Sequence, residues 1–322
     1  MRKNRLIVLK SANKLKEKLK KKFPIIPIEE IRFSNGEGKI KIKEEIKKED
    51  VYILTDVGNY EETYSYYNTK NHYSPDDHFT DLKRTLTALS GYPNSKTVIM
   101  PLLYQSRQHK KNKYESTDCV LALKELESLG VNKIITCDVH DPSIANAIIN
   151  IQFENLNPTD EILKVFLKRE KPQNVLVISP DLGAKERAKN LAGKLHTDVG
   201  LFYKRRDLTK IVNGKNPIIE HTYLGQEVKG KDIIIIDDMI ASGTSMLEVA
   251  KILKSKGAKR IYFITTFSLF TEGIKKFQEY HNKKIFTKLY TTNLSYIPKE
   301  IKREKWIEEI DCSKLIEKAI QE

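Results

Sequence analysis

Residues 233–250 read IIIIDDMIASGTSMLEVA. Four consecutive isoleucines predict a central parallel strand, because such strands are covered on both faces and need no polar alternation. Asp237 and Asp238 then fall at its carboxyl end, where open α/β sheets place their ligands. Ionised carboxylates directly after a buried run need a partner. Ala241, Ser242, Gly243, Thr244 and Ser245 follow, small and rich in hydroxyls, and they open an amphipathic helix. A helix N-terminus with free N–H groups holds phosphate. The stretch therefore predicts a site for a ligand that carries both a phosphate and hydroxyl groups.

Outward from this stretch the pattern alternates. Strands are predicted at 51–55, 97–102, 133–139, 175–179, 199–203, 232–236, 260–267 and 288–293, with helices at 79–89, 117–129, 160–168, 184–195, 244–256 and 271–281. Alternation at this spacing predicts parallel sheets with helices on their faces. NIQFENLNP breaks the pattern near 150–158 and divides two such units. The expected domains are 1–153 and 154–298, followed by a C-terminal helical tail over 299–322. The tyrosine-rich segment 58–77 has no period and reads as an inserted surface loop, with a lid as the alternative.

The chain has 322 residues and a net charge of +14. Its lysines are spread along the whole length with no aromatic-interleaved basic patch. That favours a solvated surface over a nucleic-acid interface, with positive potential left for a phosphorylated small substrate. No apolar run is long enough to cross a bilayer, and LIVL near the start is too short for a signal peptide. Cys119, Cys137 and Cys312 lack metal spacing and read as free thiols, which predicts a reducing, cytoplasmic setting.

Other strand ends carry chemistry as well. Asp138 and His140 follow one strand, Asp181 another, and Lys204, Arg205 and Arg206 a third. Each has an ordinary explanation: a hydrogen-bonded structural histidine, a helix cap for Asp181, a solvated basic edge. Together they suit a phosphoryl transfer. Carboxylates and a histidine suit Mg²⁺ and hydroxyls, and Lys and Arg on a mobile loop suit developing charge on a phosphoryl group. No P-loop motif is present.

In RFSNGEGKIKI (32–42), PLLYQSRQHKK (101–111), TCDVHD (136–141), VISPDLGAKERAK (177–189), YKRRD (203–207) and IIIDDMIASGTS (234–245), the chain resembles the ribose-phosphate pyrophosphokinase family. The six motifs occur in the family's order. The resemblance implies an α/β fold of two phosphoribosyltransferase-like domains, each a mostly parallel sheet flanked by helices. It implies pyrophosphate transfer from MgATP to the 1-hydroxyl of ribose 5-phosphate, in a dimer-based homo-oligomer that reaches a hexamer in the family. Phe33, Asn35 and Glu37 would contact adenine from a neighbouring subunit, and Arg107, Gln108 and His109 would hold ATP. His140 and Asp181 would position Mg²⁺. Lys204 and Arg206, with His140, would serve the chemical step. Asp237 and Asp238 would hold the ribose hydroxyls, and residues 241–245 the 5-phosphate.

Four departures stand out. His109 occupies a position where the family has an acid. DDMIASGTS is one residue shorter than the family's form, with Ala241 about where a third acid falls. DPSIAN replaces a glycine-containing turn after DVH. The segments 58–77 and 207–230 look longer than usual. An active pyrophosphokinase is the first reading; a phosphoribosyltransferase and a non-catalytic regulatory homologue are the alternatives.

Overall fold

The computed structural model describes residues 4–206 and 218–322, and of residues 204–206 and 218–221 only the strand assignment. The chain forms two compact units.

The first unit is built on 4–158. It begins with β1 (Asn4–Val8) and α1 (Asn13–Leu19), whose Leu15 and Leu19 are buried one turn apart. A hairpin, β2 (Ile28–Arg32) and β3 (Gly38–Ile42), comes next. β4 (Asp50–Leu54) precedes a second hairpin, β5 (Thr63–Tyr66) and β6 (Thr69–His72). α2 (Pro75–Ala88) starts on a capping box: Asp77 N–H donates to the Ser74 hydroxyl and Ser74 N–H to the Asp77 carboxylate. These reciprocal bonds satisfy donors that a helix start otherwise leaves open. β7 (Ser95–Ile99), α3 (Asp118–Ser128), β8 (Lys133–Cys137) and β9 (Gln152–Leu156) complete the run. The five-stranded sheet has the order β1-β4-β7-β8-β9 and is parallel throughout. Val51, Ile53, Val98, Ile99, Ile134 and Ile135 fill its centre and are fully buried.

The second unit is built on 159–292. α4 (Thr159–Glu170), β10 (Val175–Ser179), α5 (Lys185–Leu195), β11 (Val199–Arg206), β12 (Ile218–Leu224), β13 (Asp232–Ile240), α6 (Thr244–Ser255), β14 (Arg260–Ser268), α7 (Lys275–Asn282) and β15 (Lys288–Thr292) follow in order. α8 (Lys299–Lys302) and β16 (Ile307–Ile310) add an edge strand. The sheet order is β12-β11-β10-β13-β14-β15-β16, parallel except for the β11–β12 pair. Ile233 to Ile236 are buried at its centre, as their sequence requires. α4 is fastened by Glu170, which accepts hydrogen bonds from the hydroxyls of Tyr262 and Tyr290. α9 (Ser313–Gln321), with residues 293–298 and 311–322, belongs to the first unit.

The tail over 299–322 is therefore not purely helical. β16 lies in it, because β15 offers an unpaired edge that Ile307–Ile310 completes. The stretch near 150–158 contains β9, which closes the edge of the first sheet. Segment 58–77 holds an ordered hairpin over 63–72 and the first residues of α2; the hairpin turns at Tyr67 and Asn68 with φ 46° and 58°, the left-handed pair that fits a tight hairpin.

Candidate active site

The second unit supplies the acid pair and the turn. β13 runs on through the acids to Ile240, since β14 pairs with it as far as Ser268. Asp237 and Asp238 thus lie within the strand and not past its end. Asp238 is buried, and its carboxylate accepts the N–H of Met239 at 2.8 Å. The Asp237 carboxylate accepts the N–H of Asp238 at 2.9 Å. Burial, then the charges of Asp238 and Asp181, push Asp237 well above the usual carboxylate range, with Arg187 opposing.

Ala241 to Ser245 are all part-buried and lead directly into α6. Gly243 caps the helix at φ 70° and offers no capping side chain, while the first helical amide, Thr244 N–H, donates to the Ser242 hydroxyl at 3.4 Å. The hydroxyls of Ser242 and Thr244 lie 3.2 Å apart. Helix-start amides, adjacent hydroxyls and the helix dipole make a cradle for a phosphate.

Asp181 does not cap α5, which has Ala184 at its N-cap and no side-chain cap; it braces the turn that leads into the helix. Its Oδ1 accepts the N–H groups of Gly183 at 3.0 Å and Ala184 at 3.3 Å. It also contributes to the crowded negative field at Asp237. That field fits a hard cation: Mg²⁺ takes one or two carboxylates and completes its shell with water and substrate phosphates. Among the described residues, no group of three or more His, Cys, Asp or Glu is placed to hold a metal ion. Lys204 and Arg206 stand in β11, paired with β12 opposite His221 and Ile218, and not on a loop after the strand. Their side chains lie outside the described set.

The first unit gathers the other residues. After β8 the chain turns sharply at Asp138, a non-glycine at φ 42°. His140 and Asp141 follow. His109 comes down beside them: its ring centroid is 5.7 Å from that of His140, edge to face. Its Nε2 lies 3.0 Å from Asp141 Oδ2, whereas its Nδ1 is buried with no hydrogen-bond partner among the described residues. Lys110 Nζ, 2.7 Å from the same carboxylate, is the leading cause holding Asp141 far below the usual range. Arg107 and Gln108 are exposed on the loop leading to α3.

Phe33, Asn35 and Glu37 are exposed at the tip of the β2–β3 hairpin, with Phe33 at 47% of its full exposure. Phe33 N–H donates to the Glu37 carbonyl at 2.8 Å, and Asn35 bridges to Glu37 through both its amide nitrogen and its oxygen. The aromatic, amide and carboxylate groups are thus held on one turn.

Sequence reading missed two cations. Arg187, inside VISPDLGAKERAK, acts on Asp237; the signal was its place six residues after Asp181. Arg32, heading RFSNGE, is almost buried, and nothing in the motif itself signals that.

The fold and site define a protein of two phosphoribosyltransferase-type domains. Residues 161–297 match the phosphoribosyl transferase domain, and residues 4–130 match the N-terminal domain of ribose phosphate pyrophosphokinase. The chain belongs to the ribose-phosphate pyrophosphokinase family. It is 28% identical over 265 residues to ribose-phosphate pyrophosphokinase A of Dictyostelium discoideum, covering 81% of this chain and 75% of that one. It is 29% identical over 271 residues to the ribose-phosphate pyrophosphokinase of Pyrococcus furiosus, covering 83% and 87%. Phosphoribosylpyrophosphate synthetase of Mycobacterium smegmatis shares the fold, with a TM-score of 0.83 at 20% identity over 99% of this chain and 98% of that one.

Proposed function

We propose that the protein transfers pyrophosphate from MgATP to the 1-hydroxyl of ribose 5-phosphate, giving 5-phosphoribosyl 1-pyrophosphate and AMP for nucleotide biosynthesis. One observation carries this reading. A single chain combines the acid pair ahead of the α6 N-terminus with a pyrophosphokinase N-terminal domain. A phosphoribosyltransferase needs only the first of these.

In this reading Ser242, Gly243, Thr244 and Ser245, with Ala241, receive the 5-phosphate on backbone N–H groups and hydroxyls. Asp237 and Asp238 orient the ribose hydroxyls. Phe33 gives a flat face to adenine, and Asn35 and Glu37 read its polar edge. Arg107, Gln108 and His109 hold the triphosphate. His140 and Asp181 would each offer a donor to Mg²⁺, which would neutralise charge on the phosphate oxygens when bound. The 1-hydroxyl oxygen forms a bond to the β-phosphorus as the bond to the α-phosphate oxygen breaks and AMP leaves. Little covalent chemistry falls to the protein, so positioning and charge dominate. Lys204 and Arg206 meet the charge that develops at the β-phosphorus. A homo-oligomer in which residues 33–37 serve a neighbouring subunit, and a cytoplasmic location, complete the reading. The buried free thiols of Cys119, Cys137 and Cys312 agree with a reducing compartment. No helix among the described residues is long and apolar enough to cross a membrane.

The test is AMP release from MgATP by the purified protein, with and without ribose 5-phosphate. Sugar-dependent AMP that chelation of Mg²⁺ abolishes is the expected result. Well-folded protein that binds ribose 5-phosphate yet releases no AMP would establish the regulatory homologue instead.

A further inference from the structure

The β5–β6 hairpin has no part in the reaction as proposed, yet it is built onto the turn assigned to the nucleotide. Arg32 makes the connection. Its Nε donates to the Tyr73 hydroxyl at 3.2 Å, and Nη1 donates to the Gly36 carbonyl at 3.1 Å and to Asp77 at 3.3 Å. Nη2 reaches Asp81 at 3.2 Å. The guanidinium also lies 4.9 Å from the ring centroid of Tyr64 and 4.6 Å from that of Tyr73. Those two rings meet edge to face at 5.1 Å. One cation therefore joins the backbone of the turn, Tyr64 within the hairpin, Tyr73 just after it, and α2.

Tyr66 makes a second contact at the far end of the same hairpin. Its ring packs on Gly36 so closely that a Cβ there would lie 3.1 Å from Tyr66 Cε2. Gly36 has φ 87°, which favours glycine in its own right. It sits between Asn35 and Glu37, so displacing it displaces both. Tyr66 is braced in turn by Tyr67, edge to face at 4.6 Å.

We propose that the β5–β6 hairpin is a positioning element for nucleotide recognition: Tyr66, with Arg32 and Tyr73, fixes the 33–37 turn in the conformation that meets the purine base of a nucleoside triphosphate. The proposal rests on the assignment of Phe33, Asn35 and Glu37 to adenine. The physical logic is preorganisation. A turn ordered before binding does not charge its ordering entropy to the ligand. Tyr66 acts through Gly36 and need not touch the base.

The experiment uses the full-length chain with Tyr66→Ala, Tyr66→Phe and Arg32→Lys. Calorimetry gives MgATP and ribose 5-phosphate affinities, and hydrogen exchange follows the amides of residues 33–37. Tyr66→Ala is expected to weaken MgATP binding about fivefold, on the scale of ordering one or two side chains. It should leave ribose 5-phosphate affinity within about twofold and speed exchange at Gly36 and Glu37. Tyr66→Phe keeps the ring and should restore all three. Arg32→Lys, which lacks the planar fork, should move in the same direction as Tyr66→Ala. Folded Tyr66→Ala with wild-type MgATP affinity overturns the inference alone, as does equal loss for both ligands. Wild-type protein that binds no MgATP overturns the nucleotide assignment, and the inference with it.

Discussion

Gly243 and Phe277 leave no room between them for a methyl group: a Cβ on Gly243 would lie 2.1 Å from Phe277 Cζ. Phe277 is fully buried, with its ring stacked 5.8 Å from that of Trp306, so it cannot step aside. Gly243, in the middle of the turn proposed to receive the phosphate, is thus moulded against the aromatic core of the second unit. Gly243→Ala adds steric overlap to backbone strain at φ 70°. The expected cost is about 2–4 kcal/mol of stability, read by denaturant unfolding. Ribose 5-phosphate affinity should fall at least tenfold while MgATP affinity is kept, read by calorimetry.

Lys204→Ala should lower turnover by about two to four powers of ten, the range for groups that stabilise transition-state charge. Ribose 5-phosphate binding should change little. Steady-state AMP release and calorimetry on the same preparation separate the two effects. A loss confined to ribose 5-phosphate affinity would remove Lys204 from the chemical step.

Asp237 gives a pH signature. Its carboxyl is pushed up by burial and by Asp238 and Asp181, so the free folded protein keeps its proton above the pH where an unfolded chain loses it. The associated stability is present below the unfolded value and is lost as pH rises through the folded one. In the proposed reading ribose binding uses the carboxylate, so ribose 5-phosphate affinity should rise with pH until Asp237 ionises. Asp237→Asn should flatten that rise and cut turnover about a hundredfold. It should also raise the thermal midpoint of the unliganded protein at neutral pH. An unchanged pH profile for binding in the variant would contradict this.

Asp56 ties a distant segment into the first unit. Its buried carboxylate accepts the Ser295 hydroxyl and the Tyr296 N–H, both at 2.8 Å, and the Gly58 N–H at 3.0 Å. Asp56→Ala strands these donors and should cost about 3 kcal/mol, read by chemical denaturation. Burial raises this carboxyl to about 6. Stability contributed by the protonated form should therefore decline as pH rises from about 4 to about 6, and Asp56→Asn should remove that slope.

The motifs were legible in sequence because each is short and its chemistry is local. Four isoleucines state their own burial, and glycine followed by hydroxyls states a helix start. Arg32 was not legible: its partners Tyr64, Tyr73, Asp77 and Asp81 lie 32 to 49 residues away, and no window along the chain contains them all. The strand at 152–156 was hidden because its composition is mixed and its only support is β8 beside it.

The sequence by itself determined the alternating α/β plan and the central strands, and it set an acid pair ahead of a small, hydroxyl-rich turn. These follow from periodicity, β-branching and turn chemistry, all of which act between neighbours. Tertiary structure alone decided that β13 carries its acids inside the ladder, that Lys204 to Arg206 belong to a strand, that β16 emerges from the tail, and that a tyrosine hairpin grips the 33–37 turn. Each depends on a partner remote in sequence, β14, β12, β15 or Arg32, whose hydrogen bonds or packing replace water only once the chain has folded.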